Sequence, residues 1–199
     1  YKNYKFRLGG HSKGGNIAIY AGLMYENKNI ISLDCYDGPG FFNSFYDNIK
    51  NKDLLKKSSC YLPKDSIVGR ILEHKENIIV VDSSGNGIWQ HDIFTWYVDK
   101  YNIIKYDNLS SGSNAIYETL KNMIDLTTAS QRKIFFDSIF SLIYSTGKDS
   151  FKEVSLLKSI PKLLSTYKNF DENDRKLVNK FIVEFIKKYI INYGKNLTK

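Results

Sequence analysis

Residues 10–14 read Gly-His-Ser-Lys-Gly, a serine set between glycines. A serine hydroxyl is a poor nucleophile until a base takes its proton and amide donors hold the oxyanion that forms on the attacked carbonyl. A sharp strand-to-helix turn meets both needs: small flanking residues admit close backbone, and the helix N-terminus lies beneath the hydroxyl. Ser12 is therefore the candidate nucleophile, and the Lys13 backbone N–H a candidate oxyanion donor. The alternative is a glycine-rich turn with an incidental serine.

If Ser12 attacks, an acid and then a histidine should follow in that order, each just beyond a later strand. The chain holds three histidines. His11 lies inside the turn and is read as packing or orienting it. His74 sits among Glu73, Lys75 and Glu76 and is read as a solvated surface residue. His91, in Trp89-Gln90-His91-Asp92-Ile93-Phe94-Thr95-Trp96, is the candidate base, with a structural histidine between two tryptophans as the alternative. Two aspartates could orient it. Asp65 follows the third strand-like run and is preferred, because this arrangement places its acid late. Asp37, in Asp37-Gly38-Pro39-Gly40 after the second run, is the alternative acid. Each also has a local use, Asp65 as a helix cap and Asp37 as a turn former.

These roles need elements to carry them. Tyr4 to Leu8 alternates apolar and basic residues and stops at Gly9-Gly10, which predicts a strand entering a tight turn. From Gly14 the period becomes helical, with Ile17, Ala18, Ala21, Gly22, Met24 and Tyr25 as its stripe. Further strands are predicted over 29–36, 58–62 and 78–81, with helical spacing over 42–56 and 66–73. Strands alternating with helices at short intervals predict a parallel α/β sheet. After residue 110 the pattern is helical. Thr128 with Gln131 and Ser150 with Glu153 match capping boxes, Gly147 and Gly194 mark helix stops, and Pro161 should kink a helix. A last helix over 171–193 gathers Leu177, Val178, Phe181, Ile182, Phe185 and Ile186 on one face. The expected organisation is a catalytic portion over 1–110 and a helical segment over 111–199.

The 199 residues include 29 Lys and Arg against 21 Asp and Glu, a net charge of +8. Residues 1–110 carry 14 basic and 12 acidic groups and the remainder 15 and 9, so most of the excess lies in the helical part. There it is spread among acids on helix faces, which argues against a nucleic-acid groove. No P-loop, dinucleotide fingerprint or metal-ligand spacing occurs, so neither cofactor nor metal is expected. No spanning helix is expected either, since an apolar run of about 18 residues is lacking. The last helix pairs its apolar face with Lys176, Lys180, Lys187 and Lys188. Packing on a core is its preferred use, with peripheral membrane contact as the alternative. Cys35 and Cys60 each fall in an apolar run, which suits buried, reduced thiols in a cytoplasmic protein rather than a disulfide.

Gly10-His11-Ser12-Lys13-Gly14-Gly15-Asn16, Tyr36-Asp37-Gly38-Pro39-Gly40-Phe41, Ser66-Ile67-Val68-Gly69 and Gln90-His91-Asp92 with Trp96 together resemble a bacterial α/β-hydrolase family related to the class 3 lipases. The resemblance spans about residues 4–98. It implies Ser12 as nucleophile, Asp65 as acid and His91 as base, acting on a small-molecule or lipid ester. Those lipases usually carry leucine after the serine. Lys13 here keeps the amide donor, while its side chain either favours an anionic head group or faces solvent. In that fold the serine turn follows the fifth strand, and a second oxyanion donor comes from an earlier loop. The expectation is therefore the C-terminal portion of an α/β-hydrolase fold, with an N-terminal segment or an oligomer contact completing the sheet, followed by an all-helical segment. The expected function is a serine ester hydrolase working through an acyl-enzyme. Its alternative is a hydrolase-like binding or scaffold module without turnover.

Overall fold

The structure, a computed structural model, describes residues 3–134, 137 and 165–197. Strand β1 (Phe6–His11) runs straight through Gly9-Gly10 instead of ending there, so the turn falls on Ser12 and α1 (Lys13–Met24) begins at once. Strands β2 (Ile30–Tyr36), β3 (Ser58–Pro63) and β4 (Asn77–Val81) complete one parallel sheet in the order β1-β2-β3-β4. The mixed α/β reading, a parallel sheet with flanking helices and a helical C-terminal part, holds. The helix expected over 42–56 is two short ones, α2 (Asn43–Asp47) and α3 (Lys52–Leu55), because Asn51 caps the second by accepting the Leu54 N–H at 3.1 Å. The helix expected over 66–73 shrinks to a 3-10 turn, Val68–Arg70, because Ser66 and Gly69 turn their donors onto a side chain.

Period-two alternation decides the faces of the sheet. Leu33 and Cys35 of β2 and Cys60 and Leu62 of β3 are fully buried, packed with Ile19 and Leu23 of α1, Tyr46 of α2 and Leu54 of α3. Each buried aliphatic side chain contributes about 1.5–3 kcal/mol to folding. The interleaved Ser32, Asp34, Tyr36, Ser59 and Tyr61 take the opposite face and are half-buried. Tyr36 stacks there on Tyr61 with ring centres 5.1 Å apart. Both cysteines are buried and unbridged.

Beyond β4 come two 3-10 turns, Gly87–His91 and Ile93–Thr95, and an antiparallel ribbon of β5 (Val98–Asp99) and β6 (Asn102–Ile103). Strands this short leave no alternation to read. Helices α4 (Ser111–Asp125) and α5 (Glu172–Leu197) follow.

The chain divides into two compact units, Tyr1–Leu120 with Asn192–Lys199, and Lys121–Ile191. The first holds the sheet, the start of α4 and the end of α5. Ser113 Oγ donates to the Ser66 carbonyl at 2.8 Å, and Asn192 Nδ2 donates to Thr119 Oγ1 at 3.1 Å. Helix α5 continues through Gly194, which is not a stop, because Asn192 and Asn196 tie its last turns to Thr119 and Glu118 of α4. In the second unit the Thr128 N–H donates to Gln131 Oε1 at 3.0 Å and the Gln131 N–H to Thr128 Oγ1 at 3.2 Å, the reciprocal capping box that the spacing predicts. On α5, Val178 and Phe181 are buried while Ile182, Ile186 and Ile190 are exposed. The Ser150–Glu153 box, the Gly147 stop and the Pro161 kink lie outside the described residues. Among the described residues no helix is long and apolar enough to cross a membrane.

Candidate active site

Ser12 sits between β1 and α1 with φ 57° and ψ −130°, a backbone conformation that non-glycine residues rarely adopt. Such strain costs on the order of 1–3 kcal/mol and persists only where neighbours over-determine it. Here the Ser12 N–H donates to the Tyr36 carbonyl at 2.9 Å, while its own carbonyl accepts from Gly15 at 3.0 Å and Asn16 at 3.3 Å. The main chain is thus pinned on both sides and the hydroxyl projects from the bend. The Lys13 N–H opens α1, where first-turn N–H groups lack intrahelical acceptors, which leaves it a candidate oxyanion donor. The Lys13 side chain is exposed.

The two glycines of the motif are not equivalent. A Cβ on Gly10 would lie 2.5 Å from the Gly14 carbonyl carbon, whereas one on Gly14 would meet nothing within 4 Å. The crowding expected on both sides of the serine therefore exists only at Gly10. Gly10→Ala is expected to destabilise by about 1–3 kcal/mol through overpacking against backbone. Gly14→Ala, at a helical position, should be neutral or stabilising by up to about 1 kcal/mol. Urea unfolding of the two variants checks the contrast, and equal losses would contradict it.

The structure brings Ser12, His91 and Asp37 together. His91 Nε2 lies 3.0 Å from Ser12 Oγ and Nδ1 lies 2.7 Å from Asp37 Oδ2. Asp37 is fully buried, with φ 46° at the end of β2. Its N–H donates to the Tyr61 carbonyl at 2.8 Å, and Asn16 Nδ2 holds its loop through the carbonyls of Pro39 and Gly40 at 3.0 and 3.1 Å. Oδ1 accepts from Ser66 Oγ at 2.5 Å and from the Gly69 N–H at 3.1 Å. Position 69 must be glycine, since a Cβ there would stand 2.6 Å from that oxygen. Both carboxylate oxygens are therefore committed. A carboxylate can only accept, so the His91 proton resides on Nδ1 and the Nε2 lone pair faces the Ser12 hydroxyl, the arrangement a general base requires.

Asp65 is not against His91, which corrects the preference for it as the orienting acid. Its Oδ2 accepts from Gln90 Nε2 at 3.0 Å and its N–H donates to Gln90 Oε1 at 2.8 Å. That reciprocal pair anchors the segment bearing His91, and the Trp96 indole N–H adds a bond to the Gln90 carbonyl at 2.7 Å. Ser66 and Gly69, the two donors on Asp37, enter the sequence only as part of a stretch, Ser66-Ile67-Val68-Gly69, that carries the family resemblance and has helical spacing, with no role toward the acid.

His74 is the other correction. Its side chain is 4% exposed, with Nδ1 3.1 Å from Glu76 Oε2 and Nε2 4.0 Å from Cys60 Sγ. Tyr46 of α2 covers Glu76 with hydrogen bonds of 3.1 and 3.2 Å. This second thiol, imidazole and carboxylate alignment is structural: Cys60 has no exposure, and its hydrogen bond with Cys35, then burial, holds the thiol well above its ordinary value. Burial and the neighbouring Glu76 charge also raise the Tyr46 phenol. Groups raised by folding contribute stability below their ordinary values, 9.0 for the thiol and 10.0 for the phenol, and lose it above them, because the unfolded chain releases protons that the folded chain keeps. Thermal unfolding should therefore move to lower temperature as pH rises past those values, with a flatter decline in Tyr46→Phe. A decline as steep in that variant as in the wild type would contradict the assignment.

Among the described residues no group of His, Cys, Asp and Glu is arranged to hold a metal ion. Comparison with curated proteins and with solved structures finds no significant match. A family model described as Mbeg1-like matches residues 1–141. That span contains Ser12, Asp37 and His91 together with the strands that carry them, and the chain belongs to the Mbeg1-like family.

Proposed function

We propose that the chain is a serine hydrolase that cleaves carboxylic esters through an acyl-enzyme. The observation that carries the reading is the continuous hydrogen-bonded path from the buried Asp37 carboxylate through His91 to Ser12 Oγ, at 2.7 and 3.0 Å. As Oγ bonds to the ester carbonyl carbon, its proton passes to His91 Nε2, and the carbonyl oxygen takes the negative charge beside the Lys13 N–H. Asp37 offsets the imidazolium charge without taking the proton. Collapse of the tetrahedral intermediate releases the alcohol, which leaves with the proton from His91. Water then enters by the same proton path and frees the acid and Ser12.

An α/β-hydrolase fold related to the class 3 lipases is part of the proposal. It is supported by the parallel sheet, the strand–serine–helix turn and the chain order Ser12, Asp37, His91. Ile88, Trp89, Ile93 and Phe94 flank His91 and are exposed, which favours an ester with an apolar part. The test is incubation with a fluorophosphonate followed by peptide mass spectrometry. An adduct on Ser12 supports the reading; a folded protein that never labels, and cleaves no short-chain ester, overturns it.

A further inference from the structure

We propose that His11 is a positioning residue for the base, acting on the main chain and ring of His91 rather than on substrate. The inference rests on the hydrolase reading above. His11 is the last residue of β1 and immediately precedes Ser12. Its Nε2 lies 2.7 Å from the His91 carbonyl oxygen. A carbonyl oxygen has no proton to give, so the hydrogen resides on His11 Nε2. The acceptor is the last carbonyl of the Gly87–His91 turn, where the turn itself offers no donor.

The two rings also meet, with centres 4.5 Å apart and planes inclined by 38°. One side chain thus fixes the height of the His91 main chain above the nucleophile and the side from which its imidazole approaches. The other ties act elsewhere: Asp37 grips the Nδ1 edge of His91, and Asp65 and Trp96 hold the preceding residue, Gln90. His11 joins residue 91 directly to the strand that carries Ser12. The 3.0 Å approach of Nε2 to Ser12 Oγ is the distance this tie protects.

The test compares wild type, His11→Ala and His11→Gln in the full chain, with kcat and KM for a p-nitrophenyl ester. His11→Ala should lower kcat about 10- to 100-fold and leave KM within about twofold, as displacement of a base by roughly 1 Å would. His11→Gln, whose amide can place an N–H where Nε2 stood, should recover most of the loss. Nitrogen NMR of the wild-type imidazoles provides a readout without turnover, with His11 expected as the Nε2–H tautomer and His91 as the Nδ1–H tautomer. Failure of the wild type to acylate overturns the hydrolase reading and this inference with it. An active wild type combined with an equally active alanine variant, no recovery by glutamine, or an Nδ1–H tautomer at His11 overturns the inference alone.

Discussion

Ser12→Ala is expected to abolish fluorophosphonate labelling and to lower ester turnover on the order of ten-thousandfold to a millionfold, the range for loss of a triad nucleophile. The substitution removes the atom that would form the acyl bond in the proposed reaction and leaves His91 Nε2 facing a methyl group. It should leave the fold in place, because every structural duty of Ser12 is performed by its main chain: the N–H on Tyr36 and the carbonyl under Gly15 and Asn16. The left-handed φ of 57° strains alanine about as much as serine. Labelling and thermal unfolding are measured together. A variant that keeps its wild-type melting temperature and still labels at the wild-type rate would remove Ser12 from the mechanism.

The second large effect separates the two aspartates. Asp37→Asn should lower kcat by about ten-thousandfold, for a reason visible in the hydrogen bonds. Oδ1 of residue 37 faces two donors, Ser66 Oγ and the Gly69 N–H, so an asparagine must place its carbonyl there. Its amide then faces His91 Nδ1, which has to become the acceptor. The imidazole proton moves to Nε2, pointing at Ser12, and no base remains. Asp65→Asn keeps an acceptor for Gln90 Nε2 and should retain activity within about tenfold. Steady-state kinetics on both variants decides the matter, and a larger loss at residue 65 would reverse the assignment.

That contrast also marks how far the sequence can be read. The strand–serine–helix turn is local, and Ser12 is legible from a handful of residues whose period changes from two to helical. His91 is legible because it follows a strand and a glycine turn. Asp37 and Asp65 look alike in sequence, each after a strand and each with a turn or cap to serve. They differ in their distant surroundings: Ser66, Gly69 and Tyr61 converge on Asp37 from beyond β2, whereas Asp65 meets Gln90. His74 misleads for the same reason. Its neighbours in sequence are charged, but Tyr46 of α2 encloses the hydrogen-bonded pair it makes with Glu76. Gly194 reads as a stop until the asparagine ties on either side of it are seen, and those ties come from α4.

The return of α5 to the first unit has a topological consequence. Lys121–Ile191 begins and ends within a single folded body, so it is an insertion rather than a tail. Its entry and exit are neighbours, since Thr119 and Asn192 share a hydrogen bond of 3.1 Å. A few residues of turn could close that gap, and Ser12, Asp37 and His91 all lie outside the inserted stretch. A change of length inside that stretch can therefore be absorbed without moving any strand of the sheet, because the two points at which it joins the first unit stay together.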